Sequence, residues 1–230
     1  MKGRLIGALW IIAALLAAYM IDGGRYFFLL IWFCMAMAYG EIYAVSDINP
    51  WRMRPYMDKL KYVHVVEGAI LAAVVIAAWF LSRDEFVMVI MVCVLSDVGA
   101  FAVGKLFGKH KVAALKQISP NKTYEGYIGG VIFPLMAIIL APAIFGVYLN
   151  GPLIIFAFCG GLVAEIGDLL GSATKRRLGM KDSNEELMNY KFWRILEYPL
   201  KGHGGYLDRV DSLALGLVAY GIIKVVASLL

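Results

Sequence analysis

Seven long apolar runs alternate with polar segments along the chain: Leu5–Ile21, Tyr26–Val45, Tyr62–Leu81, Phe86–Val103, Tyr127–Leu149, Pro152–Ala173 and Leu213–Leu230. A helix needs about 20 mostly apolar residues to cross the bilayer hydrocarbon, so each run predicts a membrane-spanning helix. Some runs are joined by very short turns, at Asp22–Arg25, Ser82–Glu85 and Asn150–Gly151, and others by longer polar segments. That is the pattern of helical hairpins sharing one membrane unit. The predicted fold class is therefore all-α, a polytopic helical membrane protein of about seven transmembrane helices, with residues 1–230 forming a single integral membrane domain. The first run follows Lys2 and Arg4, as a secretory signal would. Its length, and the lack of a cleavage pattern before Asp22 and Gly23, predict an uncleaved first helix instead.

Composition agrees with the pattern. Hydrophobic residues make up 61% of the 230, charged residues 17%, and mean hydropathy is +0.74. This exceeds what a soluble domain needs to fill a core. Charge then sets the predicted orientation, because Lys and Arg near span ends are retained on the cytoplasmic side. With the N-terminus inside, 19 of the 22 basic residues fall in cytoplasmic segments. The outer turns keep Arg25 and Arg83, and Lys224 lies within the last span. All three long polar segments are thus expected on the cytoplasmic face. The net charge of +5 is accounted for without nucleic acid. A face of that sign suits anionic lipid headgroups or a polyphosphate.

Cys34, Cys93 and Cys159 all fall in apolar spans without metal-ligand spacing, and read as small core residues with no disulfide framework. Asn121-Lys122-Thr123 matches a glycosylation sequon but is predicted to face the cytoplasm. The acids inside the spans carry more information, since an ionised carboxylate there costs at least ~2.5 kcal/mol and marks function by default. Glu41 and Glu67 are read as pairing with a nearby base or reaching the interface. Asp97 opens "SDVGAFAVGKLFGKHK", with glycines at 99, 104 and 108. Gly104 and Gly108, four residues apart, also fit close helix packing alone.

In "EIGDLLGSATKRR", Glu165, Asp168 and Ser172 share one helical face, followed by Lys175, Arg176 and Arg177. The last span opens similarly with Asp208, Asp211 and Ser212. Hard oxygen donors beside a cationic mouth suit Mg²⁺ bound together with a phosphate substrate. Inter-helix ion pairing is the competing reading of the same spacing.

Four stretches carry a resemblance. "GDLLGSATKRRLGMKDS" (Gly167–Ser183) and "GHGGYLDRVDS" (Gly202–Ser212), with "SDVGAFAVGKLFGKHK" and "ISPNKTYEG" (Ile118–Gly126) upstream, resemble the phosphatidate cytidylyltransferases, the CDP-diacylglycerol synthases. The resemblance marks 96–212 as the catalytic region, between N-terminal spans in 1–95 and the last span in 213–230. It implies a nucleotidyltransferase of phospholipid synthesis that joins CTP to phosphatidate in the bilayer and releases pyrophosphate, at a cytoplasmic-side active site. It implies Mg²⁺ held by Asp168 and Asp208, with Asp211 close by for a second cation. Lys175, Arg176, Lys181 and Arg209 would contact phosphates, and Ser172, Asp182 and His203 would complete the site. His203 is read as a donor to phosphate or a loop-fixing residue. Gly202, Gly204 and Gly205 would let backbone N–H groups approach phosphate. Asp97, Lys122 and Thr123 would line the lipid or nucleotide side. A homodimer is compatible with the resemblance, and no nucleic-acid partner is expected. The segment "SNEELMNYKFWRILEYPLK" (Ser183–Lys201) mixes aromatic, aliphatic and basic residues and reads as a short interfacial helix or a flap.

Three other activities remain open on the residues: a cytidylyltransferase for another lipid phosphate such as an archaeal-type ether lipid, a CTP-dependent lipid kinase, and a cation-coupled transporter using the buried acids as a relay. The one-sided basic charge and the absence of an evident internal repeat favour the nucleotide enzyme.

Overall fold

The computed structural model describes residues 33, 34, 36–38, 40, 80–177 and 207–230, with side chains left out at 177 and 207–210. The chain divides into two compact units, Met1–Val75 with Ala173–Val210, and Ile76–Ser172 with Asp211–Leu230. The described residues of the first unit are helical. The second unit contains the ordered framework below.

Its helices begin where side chains can satisfy their free N–H groups. Helix α1, Arg83–Phe107, starts at Ser82 in a reciprocal cap: Ser82 Oγ accepts from Glu85 N and Glu85 Oε2 accepts from Ser82 N at 2.5 Å. The Ser82–Glu85 stretch, read as a turn from its polarity, is thus the cap and first turn of α1. A 3-10 turn at Ala113–Leu115 and an isolated bridge between Lys111 and Thr123 lead to α2, Tyr124–Ile132. Thr123 Oγ1 caps α2 by accepting from Gly126 N at 3.1 Å.

The fifth apolar run is not one regular helix. It divides into α2, a 3-10 segment Phe133–Met136 containing Pro134, and α3, Ala137–Phe145, with Pro142 inside. Proline lacks the N–H that an α-helix needs and crowds the preceding turn, which accounts for the break. Helix α3 ends at Gly146, whose φ of 65° lies in the left-handed region that glycine adopts without strain. Helix α4, Gly151–Arg177, follows Asn150, whose Oδ1 accepts from Leu153 N at 3.0 Å. Helix α5 is Leu207–Leu229.

Among the described residues, four segments are long and apolar enough to cross a membrane: Arg83–Phe107, Tyr124–Phe145, Gly151–Arg176 and Asp211–Leu229. They correspond to the last four predicted spans. The first three predicted spans, with Glu41 and Glu67, lie almost wholly outside the described residues. Among the described residues the protein is an all-helical integral membrane protein.

Small residues let these helices approach closely, as membrane helices require. A Cβ on Gly99 would meet Gly129 O at 2.5 Å, and one on Gly129 would meet Gly99 O at 2.5 Å. Gly104 faces Thr123 and Gly126, so the packing reading of that glycine holds. Gly167 and Gly171 of α4 lie against Asp211 and Ser212 of α5. Ser96 Oγ donates to Gly161 O at 3.2 Å, tying α1 to α4. Met88, Val89, Val92, Leu153, Phe156 and Leu217 fill the interior, and Tyr220 meets Phe156 edge-on at 5.5 Å. All three cysteines are free; Cys93 is buried as expected of a core thiol, while Cys34 and Cys159 are half-buried.

A polar clasp closes one end of this unit. Glu85 is buried, and its carboxylate accepts from Tyr220 Oη and Lys224 Nζ, each at 2.8 Å. Lys224 also donates to Phe80 O, while Arg83 Nη2 donates to Phe145 O and Tyr148 N to Asp84 Oδ2. The lone lysine of the last apolar run is therefore neutralised by the capping acid of α1.

Candidate functional site

The opposite end of the same unit gathers the C-terminal end of α1, the loop before α2, the second half of α4 and the start of α5. Lys122 stands in the loop, its backbone fixed by Lys122 N donating to Ser119 O and Val112 N donating to Lys122 O. Its ammonium lies 2.5 Å from Glu165 Oε2 and 2.7 Å from Asp168 Oδ2. Helical spacing on α4 turns these two carboxylates toward one cation. Glu165 is 2% exposed and Asp168 31%, so the pair grades from buried to partly exposed. A carboxylate as buried as Glu165 costs several kcal/mol when unpaired, at order of magnitude, and Lys122 supplies the compensation.

Lys122 also sits 5.0 Å from the centroid of the Tyr127 ring, a cation–π contact one helical turn into α2. Burial favours its neutral amine, but the Asp168 and Glu165 carboxylates and their hydrogen bonds outweigh that, so its pKa lies above the ordinary lysine value. A raised folded-state pKa means the pairing is fully present below the unfolded value of about 10.4 and lost only as pH rises through the folded one. Lys122 is a cation throughout the neutral range.

Two polar atoms beside Lys122 are unspent. Glu165 Oε1 and Tyr127 Oη are buried with no hydrogen-bond partner among the described residues. Glu165 Oε1 faces Gly130 of α2, where an added Cβ would collide with the carboxylate. The glycine is what lets α2 and the Glu165 side chain share that space.

The other predicted site residues fall in several places. Asp211 lies at the crossing of α4 and α5, pressed against Gly171, with Oδ1 accepting from Ser212 N at 2.8 Å. Asp97 is exposed on α1. Ser172 is half-buried on α4. Thr123 is buried, and its hydroxyl serves the cap of α2. Lys175 is buried and Arg176 exposed on the final turn of α4, within the first unit. Asp208 and Arg209 are helical, but their side chains are outside the described residues, as are Lys181, Asp182, Gly202, His203, Gly204 and Gly205 altogether.

The structure therefore joins two of the sequence stretches through Lys122, Glu165 and Asp168, and places Asp211 beside the same part of α4. Glu165 was legible as part of the polar stripe. Its pairing with Lys122, 43 residues earlier, was not, because a loop lysine carries no periodicity. Tyr127 looked like one more apolar position of its run.

The donor chemistry fits a hard divalent cation: carboxylate oxygens on α4 already enclose one positive charge, the Lys122 ammonium. Among the described residues no three His, Cys, Asp or Glu converge into a closed metal group. Asp168 is the more exposed of the two carboxylates that hold the ammonium.

Fold and site together define an integral membrane protein with a charged site built at one end of an apolar helical unit. The model of the cytidylyltransferase family matches residues 59–226, and the chain belongs to that family. A phosphatidate cytidylyltransferase of Staphylococcus saprophyticus is 38% identical over 135 residues, covering 57% of this chain and 45% of the relative. One from Helicobacter pylori is 37% identical over 140 residues, covering 60% of this chain and 46% of the relative. One from Staphylococcus aureus is 39% identical over 136 residues, with 57% and 45% covered. The matched part thus spans less than half the length of these relatives. No solved structure matches the chain significantly.

Proposed function

We propose that the chain transfers the cytidylyl group of CTP to phosphatidate, forming CDP-diacylglycerol and pyrophosphate on the cytoplasmic face of a seven-span membrane domain. The observation that carries this reading is the meeting of Lys122 with Glu165 and Asp168. Two motif stretches far apart in sequence, both inside the family match, come together as a charged site at the end of an apolar helical unit. The names of the three relatives support the choice of substrates.

The chemistry asks little of a base. A phosphomonoester with a second pKa of about 6 is already largely ionised near neutrality. One of its oxygens forms a bond to the α-phosphorus of CTP as the bond from that phosphorus to the bridging oxygen breaks, and pyrophosphate leaves. The obstacle is repulsion between two polyanions. Bound Mg²⁺ supplies charge neutralisation and alignment for in-line displacement. Asp168 with Asp208 would hold it, Asp211 standing by for a second cation. Lys122, Lys175, Arg176, Lys181 and Arg209 supply positive charge to phosphate oxygens, and Gly202, Gly204 and Gly205 open the backbone to them. Ser172, Asp182 and His203 would complete the site, His203 as a donor to phosphate or as a loop-fixing residue.

The test is to incubate purified protein in detergent or vesicles with CTP, Mg²⁺ and phosphatidate. Liponucleotide and pyrophosphate should appear in equal amounts, with no product when diacylglycerol replaces phosphatidate. Phosphatidate formed from diacylglycerol, with release of CDP, would assign a lipid kinase instead.

A further inference from the structure

Glu165 shares the polar face of α4 but is outside the set of residues that the family resemblance assigns to metal or phosphate, and it is the most buried charge at the site. One of its oxygens holds Lys122; the other, Oε1, is buried and has no partner among the described residues. Lys122 divides its ammonium between this carboxylate and Asp168, the same residue that the proposed reaction needs as a cation ligand. An ammonium and a divalent cation cannot both occupy the Asp168 oxygens at full strength.

We propose that Glu165 is a positioning residue that tethers Lys122 at the site when a divalent cation takes Asp168. This inference rests on the functional reading above, which makes Asp168 a metal ligand. The geometry supplies what a tether needs. Lys122 has three N–H donors; on losing Asp168 it can turn the freed donor to Glu165 Oε1, which has an acceptor to spare. The Tyr127 ring, 5.0 Å from the ammonium, adds attraction on another side. Gly130 keeps α2 clear of the Glu165 carboxylate. Lys122 thus remains a fixed positive charge beside the metal, where phosphate oxygens arrive, instead of being expelled by it.

The prediction is read in cation binding without nucleotide or turnover. Mn²⁺ is titrated into the solubilised protein, and free Mn²⁺ is followed by electron paramagnetic resonance. Lys122→Met releases Asp168 from its competitor and should tighten Mn²⁺ binding about tenfold, as expected if the competent state is roughly one-tenth populated in the wild type. Glu165→Gln weakens the tether, leaves Lys122 leaning on Asp168, and should weaken Mn²⁺ binding several-fold. Adding Glu165→Gln to Lys122→Met should change nothing further, since no lysine remains to be held. The double variant also removes opposite charges together, so it serves if Lys122→Met alone does not fold. Its Mn²⁺ binding should still exceed that of the wild type.

Unchanged or weaker binding in Lys122→Met, or in the double variant where the single one is unfolded, overturns the proposal. So does an equal loss from Glu165→Gln in both backgrounds, which would make Glu165 a direct ligand, and so does a wild type that binds no Mn²⁺. Failure of the functional reading looks different: no liponucleotide is formed by a wild type whose Mn²⁺ responses follow the pattern above.

Discussion

Asp168 is the residue on which the site turns, because it is held by Lys122 and is still partly exposed. Asp168→Asn keeps the size and one carbonyl oxygen but removes the charge. Losing a charged ligand from a metal that stabilises the transferring phosphate should lower turnover roughly a thousandfold or more. The same substitution at Asp208 should act alike. Folding should survive, since neutralising a carboxylate in an apolar setting relieves desolvation and Lys122 keeps Glu165 as partner. The check is product formation at saturating Mg²⁺ together with the thermal unfolding midpoint. Near-normal turnover would remove Asp168 from the metal site, and loss of folded protein would return it to a structural role. At this scale the sequence told half the story. The alignment of Glu165, Asp168 and Ser172 follows from helical periodicity. Which base would meet them depends on where a loop brings Lys122, and no local pattern encodes that. Of the two readings of the stripe, ion pairing is what the structure shows, between the loop residue Lys122 and both carboxylates, and the cation site stands as the proposal.

At the scale of elements, the apolar runs located the four described spans within a few residues, because length and hydropathy alone decide what can cross a bilayer. The ends were less legible. Ser82 to Glu85 looked like a turn from polarity but forms a capped first helical turn, and Pro134 and Pro142 break a run whose composition is uniformly apolar. Lys224 had no reading as a lone charge in the last span, yet it completes the Glu85–Tyr220 clasp. Lys224→Met leaves a buried acid without its cation, and should lower stability by about 1 to 3 kcal/mol. Because the clasp closes the end of the unit opposite Lys122, turnover at a permissive temperature should be unchanged; a large loss of turnover in folded protein would show that the two ends are coupled. The segment Ser183–Lys201 lies outside the described residues. If it lies in the interface, replacing Phe192 and Trp193 with serine should raise KM for lipid more than for CTP. Equal effects on both would favour a flap over the nucleotide.

For the whole molecule, the proposal requires the long polar segments to share one side of the membrane, as the split of basic residues predicts. A reporter after Asn150 should lie outside and one near Asn184 in the cytoplasm; the same compartment for both would contradict the seven-span topology. The central claim is about which bond of CTP breaks, and isotope position reads it directly. The protein is incubated with phosphatidate, Mg²⁺ and CTP carrying distinguishable labels at the α- and γ-phosphates, and lipid is separated from the aqueous phase. The account predicts the α label in the lipid fraction as CDP-diacylglycerol and the γ label in pyrophosphate, in equal amounts. Recovery of the γ label in lipid, or of both labels in unreacted CTP, would contradict it.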